Sequence, residues 1–354
     1  MSGLRVGAFA PLSPPGLAPA GRHLRAGLEL AVDDLNRAGG IASQPIELVL
    51  RDSAGDPGRA VEMLDELDAD GAVAVLGEYH SMVARQLADA ADSVQLPFIC
   101  SSATLDELTS RPTDLVARLA VPQSLGWSVF ADHLLAAGHR HVGIAVHANR
   151  YWSSGARVLE ERLRERHAGC AVVDVTELSP AAVARRVSAI DVDVLILLVG
   201  FPEPLVSIVD AVRSHGGLAE LALGDPAGRP EFADWASLLG EAARDVPYLR
   251  YRPTPLTDLG TRVSERLARR LGEAPSFVAL EGYDTVLLLA AGLRNGRADR
   301  ASLRRALPGL SAHGTRGALR LLRPPGARVL QLARTPVQVV SGVPPEVSVL
   351  HERL

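Results

Sequence analysis

Short apolar runs alternate with longer amphipathic segments along the chain as far as residue 248. The run 4–10 predicts a strand buried on both faces, and the segment 20–38 predicts a helix, with Leu24, Leu28 and Leu35 on one face. Beyond residue 248 the pattern becomes mostly helical, and the tail from 317 consists of short apolar runs separated by proline-rich turns. Such alternation is typical of βαβ units built around parallel sheets.

The predicted strands fall into two series. The first has strands at 4–10, 46–51, 72–76 and 97–100, and the second at 141–146, 171–175, 192–199 and 220–223. The helices that follow belong to neither sheet by order, which indicates that the chain crosses between two lobes more than once. We therefore predict an α/β fold of two Rossmann-like lobes, each with a parallel sheet flanked by helices, joined by a multi-crossover hinge.

Composition removes several function classes. All 37 basic residues are arginine, so a lysine Schiff base, a pyridoxal-phosphate anchor and a Walker A phosphate loop are excluded. The net charge of -4 gives no sign of a nucleic-acid surface, and no apolar stretch reaches the roughly 20 residues of a membrane span. The chain runs from Met1 almost directly into the first strand. We expect an extracytoplasmic protein if a leader has been removed, and a cytoplasmic one if Met1 is the native start.

Two strand ends of the first series carry hydroxyl groups. Tyr79, His80 and Ser81 follow the strand 72–76, and Ser102, Ala103 and Thr104 follow the strand 97–100. Hydroxyls and free N–H groups at a helix start form an anion site without a cationic residue. A carboxylate or amide oxygen could therefore lie between Ser81 and Thr104. The alternative is that Ser81 only caps a helix and the 101–102 pair forms a polar turn.

Aromatic and acidic residues follow the strands of the second series. Tyr151 and Trp152 come after the strand 141–146, Phe201 after 192–199, and Asp225 after 220–223. An aromatic wall with one carboxylate would suit an ammonium group, through cation–π attraction and an ion pair. The alternative for Asp225 is a turn formed by the Asp-Pro pair.

Catalytic and metal-binding motifs are weak in this sequence. His80 and Ser81 are adjacent, an arrangement that rarely joins a nucleophile to its base, and no G-x-S-x-G elbow occurs. Glu78 and His80 lack a third metal ligand at a suitable spacing. No G-x-G-x-x-G motif supports a dinucleotide. We expect a protein that is not an enzyme and has no catalytic residue, metal or cofactor; a hydrolase using Ser81 and a distant histidine is the minor alternative.

Six short segments carry a family resemblance that runs over nearly the whole chain. They are GLELAVDDLNRAGG at 27–40, RDSAGDP at 51–57, GEYHS at 77–81, SSATLDELT at 101–109, GYD at 282–284 and GTRG at 314–317. In order and spacing they resemble the branched-chain amino-acid and amide binding family of the type I periplasmic-binding fold. The resemblance implies an N-terminal lobe of residues 1–119 and 251–328, and a C-terminal lobe of residues 120–250 and 329–354.

The resemblance also implies roles for the residues at the strand ends. Ser81, the backbone near Ser102 and Ala103, and Thr104 match the positions that hold an α-carboxylate. In the second lobe Tyr151, Trp152 and Phe201 match aromatic positions, and Asp225 matches the acid that holds the ammonium group. The chain departs from the family where Tyr79 and His80 replace small residues, and where Phe201 lacks a tyrosine hydroxyl.

These implications lead to a functional hypothesis. We expect non-catalytic binding of a small polar ligand, such as an amino acid, an amide or a related carboxylate, in a cleft between the lobes that closes about a hinge. The protein would be the substrate-binding component of an ABC importer. The alternative is a cytosolic sensor of the same ligands that engages a regulator.

Overall fold

The computed structural model describes residues 3–243, 245–294 and 297–353. The chain divides into two compact units: the first comprises Met1–Val121 and Arg252–Pro336, and the second comprises Pro122–Tyr251 and Val337–Arg353. The main difference from the predicted lobe boundaries concerns residues 329–336, which belong to the first unit because a strand there joins the first unit's sheet.

Strands and helices alternate along the chain much as the apolar pattern predicts. The strands are β1 (Leu4–Ala10), β2 (Ile46–Asp52), β3 (Val75–Gly77), β4 (Phe98–Cys100), β5 (Val116–Arg118), β6 (His141–Val146), β7 (Gly169–Asp174), β8 (Val194–Leu198), β9 (Ala222–Gly224), β10 (Tyr248–Arg250), β11 (Ser311–Gly314), β12 (Gly317–Leu322), β13 (Leu330–Leu332), β14 (Val337–Val343) and β15 (Glu346–Arg353). The helices are α1 (Ala18–Arg37), α2 (Pro57–Ala69), α3 (Ser81–Ser93), α4 (Gln123–Ala136), α5 (Arg150–Glu165), α6 (Pro180–Ser188), α7 (Leu205–Ser214), α8 (Ala233–Leu239), α9 (Asp258–Leu271), α10 (Phe277–Leu293) and α11 (Arg300–Ala306).

The first unit is built on one sheet, in the order β11-β12-β13-β5-β4-β3-β1-β2. The pairs from β13 through β5, β4, β3 and β1 to β2 are parallel, whereas β12 pairs antiparallel with both β11 and β13. The three-residue strands β3, β4 and β5 are buried throughout, as expected for central strands covered on both faces. Their carboxyl ends therefore share one edge of this sheet.

Helices α1 and α10 pack against each other at unusually short range. A Cβ atom added at Gly27 would lie 1.9 Å from the carbonyl oxygen of Ala279, and one at Gly282 would lie 2.7 Å from that of Leu24. On the same side, Asp34 accepts two hydrogen bonds of 2.6 Å from Arg266 and one of 2.8 Å from the Tyr283 hydroxyl. Gly27 and Asp34 of the 27–40 segment and Gly282 and Tyr283 of the 282–284 segment therefore serve the packing of helices.

The second unit contains two sheets. The strands β7-β6-β8-β9 form a parallel sheet, and β10-β14-β15 form an antiparallel one. A parallel bridge between Asp225 and Tyr248 links the end of β9 to β10. The core on one face of the parallel sheet is aliphatic, with Trp235 as its largest member. Helices and parallel strands in both units confirm the predicted α/β class.

Candidate ligand-binding site

The first unit brings two of the predicted loops together at one edge of its sheet. Strands β3 and β4 run parallel, with Gly77 opposite Cys100, so the segments that follow them leave the sheet side by side. Backbone hydrogen bonds hold this arrangement, because the N–H of Ser101 donates to the Gly77 carbonyl and that of Ser102 to the Glu78 carbonyl. We call Ser81, Ser102, Ala103 and Thr104 together the hydroxyl clamp.

Ser81 is the centre of the hydroxyl clamp. It is the first residue of α3, with His80 as the N-cap, and is only 8% exposed. Its Oγ accepts hydrogen bonds from the N–H groups of Thr104 (3.1 Å) and Leu105 (3.3 Å). Because a hydroxyl has two lone pairs and one proton, both acceptor positions are used. Among the described residues, none accepts a hydrogen bond from the Ser81 hydroxyl. The O–H proton is therefore left to donate to another group.

A buried carboxylate fixes the turn that leads to Ser81. Glu78 is fully buried, and its Oε1 accepts hydrogen bonds of 2.8 Å from the N–H groups of Tyr79 and His80. Burial raises the pKa of Glu78 to about 7, although these backbone hydrogen bonds act in the opposite direction. Tyr79 and His80 are both half-buried, and burial lowers the pKa of His80. These two residues are therefore placed beside the clamp through the Glu78 carboxylate.

An arginine lies behind the loop of the hydroxyl clamp. Arg118, at the end of β5, is fully buried, and its Nη1 donates to the carbonyl oxygens of Leu105 (2.5 Å) and Thr104 (3.4 Å). Its Nε and Nη2 have no hydrogen-bond partner among the described residues. Burial lowers its pKa, and the nearby Asp106 carboxylate acts in the opposite direction. This cation adds positive potential to the N-terminus of α3, which already favours an anion.

The GYD and GTRG segments meet beneath Ser102. Arg316 donates to Glu281 (3.0 Å) and to Asp284 (3.1 Å), and the N–H of Thr315 donates to Asp284 (2.6 Å). Burial raises the pKa of Glu281 to about 7, although Arg316 and a hydrogen bond with Ser102 act in the opposite direction. One arginine thus faces two buried carboxyls, and Glu281 lies close to Ser102. Side chains of these two segments therefore lie next to the hydroxyl clamp, close to Ser102.

In the second unit, Tyr151 and Trp152 lie in the first turn of α5 and not in a loop. Asn149 caps this helix by accepting the Trp152 N–H at 2.9 Å. The two rings meet edge to face at 4.8 Å, and both contact the buried Trp127, at 5.9 Å and 6.2 Å. Gly155 makes room for Trp127, because a Cβ atom there would lie 1.8 Å from its ring. The sequence therefore places an aromatic cluster beside the carboxyl end of β6.

Asp225 is occupied by an ion pair. The residue is fully buried, its Oδ2 accepts from Arg229 Nε at 2.7 Å, and its Oδ1 accepts from the Ala227 N–H at 2.9 Å. Arg229 also lies over the Trp152 ring, with 5.2 Å between the guanidinium carbon and the ring centroid. From the sequence we expected Asp225 to bind the ammonium group of a ligand. In the structure an arginine of the same turn holds that position.

Phe201 takes a different place from the other aromatic residues. It is half-buried and stacks on Trp235 with 5.7 Å between the ring centroids. It packs against the aliphatic core of the second unit. Its partner is therefore a core residue and not a member of the Trp127 cluster.

Within each unit the structure brings predicted residues together and places further residues beside them, namely Arg118 in the first unit and Trp127 and Arg229 in the second. Ser81 is hydrogen-bonded to Thr104, and Trp152 is linked to Asp225 through Arg229. Arg118 could have been noticed as a lone charge inside the apolar run 115–121, and Arg229 as the arginine four positions after Asp225. No local signal points to Trp127, which the fold brings to Trp152.

Other kinds of site find no support in the described ranges. They contain no group of three or more histidine, cysteine, aspartate or glutamate side chains that could hold a metal ion. In the same ranges, no helix is both long and apolar enough to cross a membrane.

Comparison with known proteins places the chain in a family. The model of the periplasmic binding protein family matches residues 3–335. Leu/Ile/Val-binding protein homolog 3 of Brucella melitensis is 30% identical over 132 residues, or 37% of this chain and 36% of the relative. The Leu/Ile/Val-binding protein of Escherichia coli is 27% identical over 172 residues, or 48% of this chain and 47% of the relative. The chain thus aligns with less than half the length of these curated relatives.

Solved structures match over nearly the full length. A leucine-binding protein of Thermotoga maritima superposes with a TM-score of 0.85 at 16% identity, covering 99% of this chain and 98% of that one. A branched-chain amino-acid transporter substrate-binding protein of Streptococcus pneumoniae, in complex with isoleucine, gives 0.84 at 18% identity, covering 99% and 100%. An ABC transporter solute-binding protein of R. palustris, in complex with benzoate, gives 0.80 at 18% identity, covering 99% and 96%.

These matches agree with the fold and with the non-catalytic nature of the site. The similar proteins are named for the solutes they bind, which favours a binding role over the hydrolase alternative. The chain belongs to the periplasmic binding protein family, as a type I member related to the Leu/Ile/Val-binding proteins.

Proposed function

We propose that this protein is the substrate-binding component of an ABC importer and that it binds a small carboxylate at the hydroxyl clamp. The observation that carries the proposal is the Ser81 hydroxyl. Its two acceptor positions are filled by Thr104 and Leu105, so it can only donate outward. A carboxylate, which only accepts hydrogen bonds, is the complementary partner.

The surroundings of Ser81 favour a negative charge. The residue begins α3, a helix of 13 residues whose N-terminus carries a partial positive charge. Arg118 lies on the carbonyl side of the clamp loop. Hydrogen bonds to a charged acceptor contribute more than neutral ones, about 1.5–3 kcal/mol each. The clamp can therefore hold an anion without direct contact with a cationic side chain.

We further propose that the second unit covers the rest of the ligand. Tyr151 and Trp152 are half-buried and lie in the first turn of α5, beside the carboxyl end of β6. A ligand that contacts both units shifts the equilibrium toward a closed state about the hinge, because only that state offers both sets of contacts. The transport role rests on the relatives, which include ABC transporter solute-binding proteins with isoleucine or benzoate bound.

A thermal-shift screen of amino acids, amides and small aromatic carboxylates tests this function. A true ligand binds only the folded protein and therefore raises the melting temperature by mass action. We expect Ser81→Ala and Thr104→Ala each to remove most of that ligand-induced shift. Ser128→Ala is the matched control, since this exposed hydroxyl donates to the Ser124 carbonyl on α4 of the second unit. If the ligand raised the melting temperature of both clamp variants as much as that of the unaltered protein, the ligand would not bind at the hydroxyl clamp.

A further inference from the structure

The turn after β9 neutralises its own carboxylate. Asp225 is fully buried, and each of its oxygens accepts one hydrogen bond, Oδ1 from the Ala227 N–H and Oδ2 from Arg229 Nε. The second bond is also an ion pair of 2.7 Å. No net charge is left on this pair to attract an ammonium group.

Arg229 is held firmly in that position. It is 4% exposed, and its Nη2 donates to the Leu197 carbonyl at 2.9 Å while its Nη1 donates to the Val199 carbonyl. Trp152 covers the guanidinium on one side. A ligand ammonium that displaced Arg229 from Asp225 would leave a buried guanidinium without its counter-charge, which is strongly unfavourable.

The ring face of Trp152, beside the Asp225–Arg229 pair, already contacts the Arg229 guanidinium. A guanidinium over a ring interacts with the negative face of its quadrupole, so Trp152 already holds one cation. A second cation brought to the same ring would be repelled by Arg229. An apolar or aromatic body has no such conflict, and it gains edge-to-face and dispersion contacts with Trp152 and Tyr151.

Glu231 is the other buried acid of this turn. It is 3% exposed, and its Oε2 accepts a hydrogen bond from the Tyr248 hydroxyl at 3.3 Å. It is therefore also engaged within the second unit. Because it is the one remaining carboxylate of the turn 225–231, an experiment must separate it from Asp225 as an acceptor for an ammonium group.

We propose that the second unit excludes an ammonium group, so that the ligand is a monocarboxylate with an apolar or aromatic body and not an α-amino acid. The Asp225–Arg229 pair determines this specificity. The inference rests on the proposed function, since the hydroxyl clamp must hold the carboxylate.

Isothermal titration with matched ligand pairs tests the inference. The pairs differ only in the amino group: 4-methylpentanoate with leucine, and 3-phenylpropanoate with phenylalanine, with benzoate as a further probe. We expect the desamino acid of at least one pair to bind at least about tenfold more tightly than the amino acid. If carboxylates bind but the amino acid is equal or better in every pair that binds, this inference is wrong and the proposed function stands. If no carboxylate or amino acid binds, both are wrong.

Variants identify the residues responsible. Arg229→Gln removes the cation, so we expect the affinity ratio to move toward the amino acid by about tenfold. Arg213→Gln is the control, because Arg213 is a second-unit arginine that also donates to backbone carbonyls, those of Ala219 and Leu221. A ratio unchanged by Arg229→Gln, or amino-acid binding abolished by Glu231→Gln in the otherwise unaltered protein, would overturn the proposal. If Arg229→Gln does not fold, the ratio in the unaltered protein decides.

Discussion

A single buried carboxylate, that of Glu78, sets the start of α3 and with it the position of Ser81. Burial raises its pKa from 4.5 to about 7, so the folded state binds a proton more readily than the unfolded chain does. Its contribution to stability is therefore complete below about pH 4.5 and is lost as the pH rises through about 7. The buried Glu78 carboxyl group therefore destabilises the folded state as it ionises.

Replacing this group should flatten one part of the pH dependence. Glu78→Gln keeps an oxygen to accept from Tyr79 and His80 but cannot ionise. We expect the unaltered protein to lose up to about 3 kcal/mol more unfolding free energy than this variant between about pH 5 and pH 8. Denaturant titrations at several pH values measure the difference. Glu62→Gln, at an exposed site on α2, serves as the control. Equal pH slopes for Glu78→Gln and the unaltered protein would contradict this assignment.

For single residues, the sequence predicted which residue types lie at the strand ends, but it did not predict which groups they form hydrogen bonds with. Hydroxyls after two strands predicted that Ser81 and Thr104 could lie together, since neighbouring parallel strands end at one edge. The sequence did not predict that Ser81 Oγ accepts hydrogen bonds from the backbone N–H groups of residues 104 and 105. These bonds depend on the path of the loop, which residue types alone do not determine. The Asp225–Arg229 pair was missed for a related reason, because its formation depends on how the turn after β9 folds back over the end of β8.

Among the elements, the contact between α1 and α10 depends on a glycine. Gly27 lies against the backbone of Ala279, where even one methyl group would come within 1.9 Å of a carbonyl oxygen. Such a clash with backbone cannot be relieved by a side-chain rotation, so the two helices must separate.

We expect Gly27→Ala to destabilise the protein by about 2 kcal/mol or more, measured by chemical denaturation. Gly58→Ala is the matched control in helix α2, where the nearest atom to an added Cβ is Asp56 Oδ1 at 3.4 Å. The control should be neutral or slightly stabilising, because alanine is the better helix former. A loss of stability no larger in Gly27→Ala than in Gly58→Ala would show that the helices are not in close contact.

Elements with strong local signals could be predicted from the sequence. Asp56 caps α2 by accepting from the N–H groups of Gly58 and Arg59, and Ser179 caps α6; an Asp-Pro or Ser-Pro pair favours a helix start at such positions. The three-residue strands β5 and β10 were missed, since they are too short for a periodic pattern. Helix α5 begins at Arg150 because Asn149 supplies the cap, accepting from the Trp152 N–H.

At the level of the whole molecule, the two-unit organisation followed from the two series of strands. The order of elements could not assign the tail, because β13 joins the first unit's sheet whereas β14 and β15 pair with β10 in the second. Such pairings join segments far apart in the sequence, so only the folded chain reveals them.

The proposed closure predicts a change in dimensions on binding. Small-angle X-ray scattering should show a smaller radius of gyration for the protein with saturating ligand than for the free protein. Ser81→Ala at the same ligand concentration should remain near the free value. An unchanged radius of gyration in a protein shown to be saturated would argue against closure while leaving binding intact.

The most direct test of the central claim is the dissociation constant of the carboxylate found by screening, measured by isothermal titration with the unaltered protein, Ser81→Ala and Ser128→Ala. We expect Ser81→Ala to weaken binding by about tenfold to a hundredfold, because a hydrogen bond to a charged acceptor is lost, and Ser128→Ala to have no effect. Equal affinity in the unaltered protein and Ser81→Ala would show that the Ser81 hydroxyl does not hold the carboxylate.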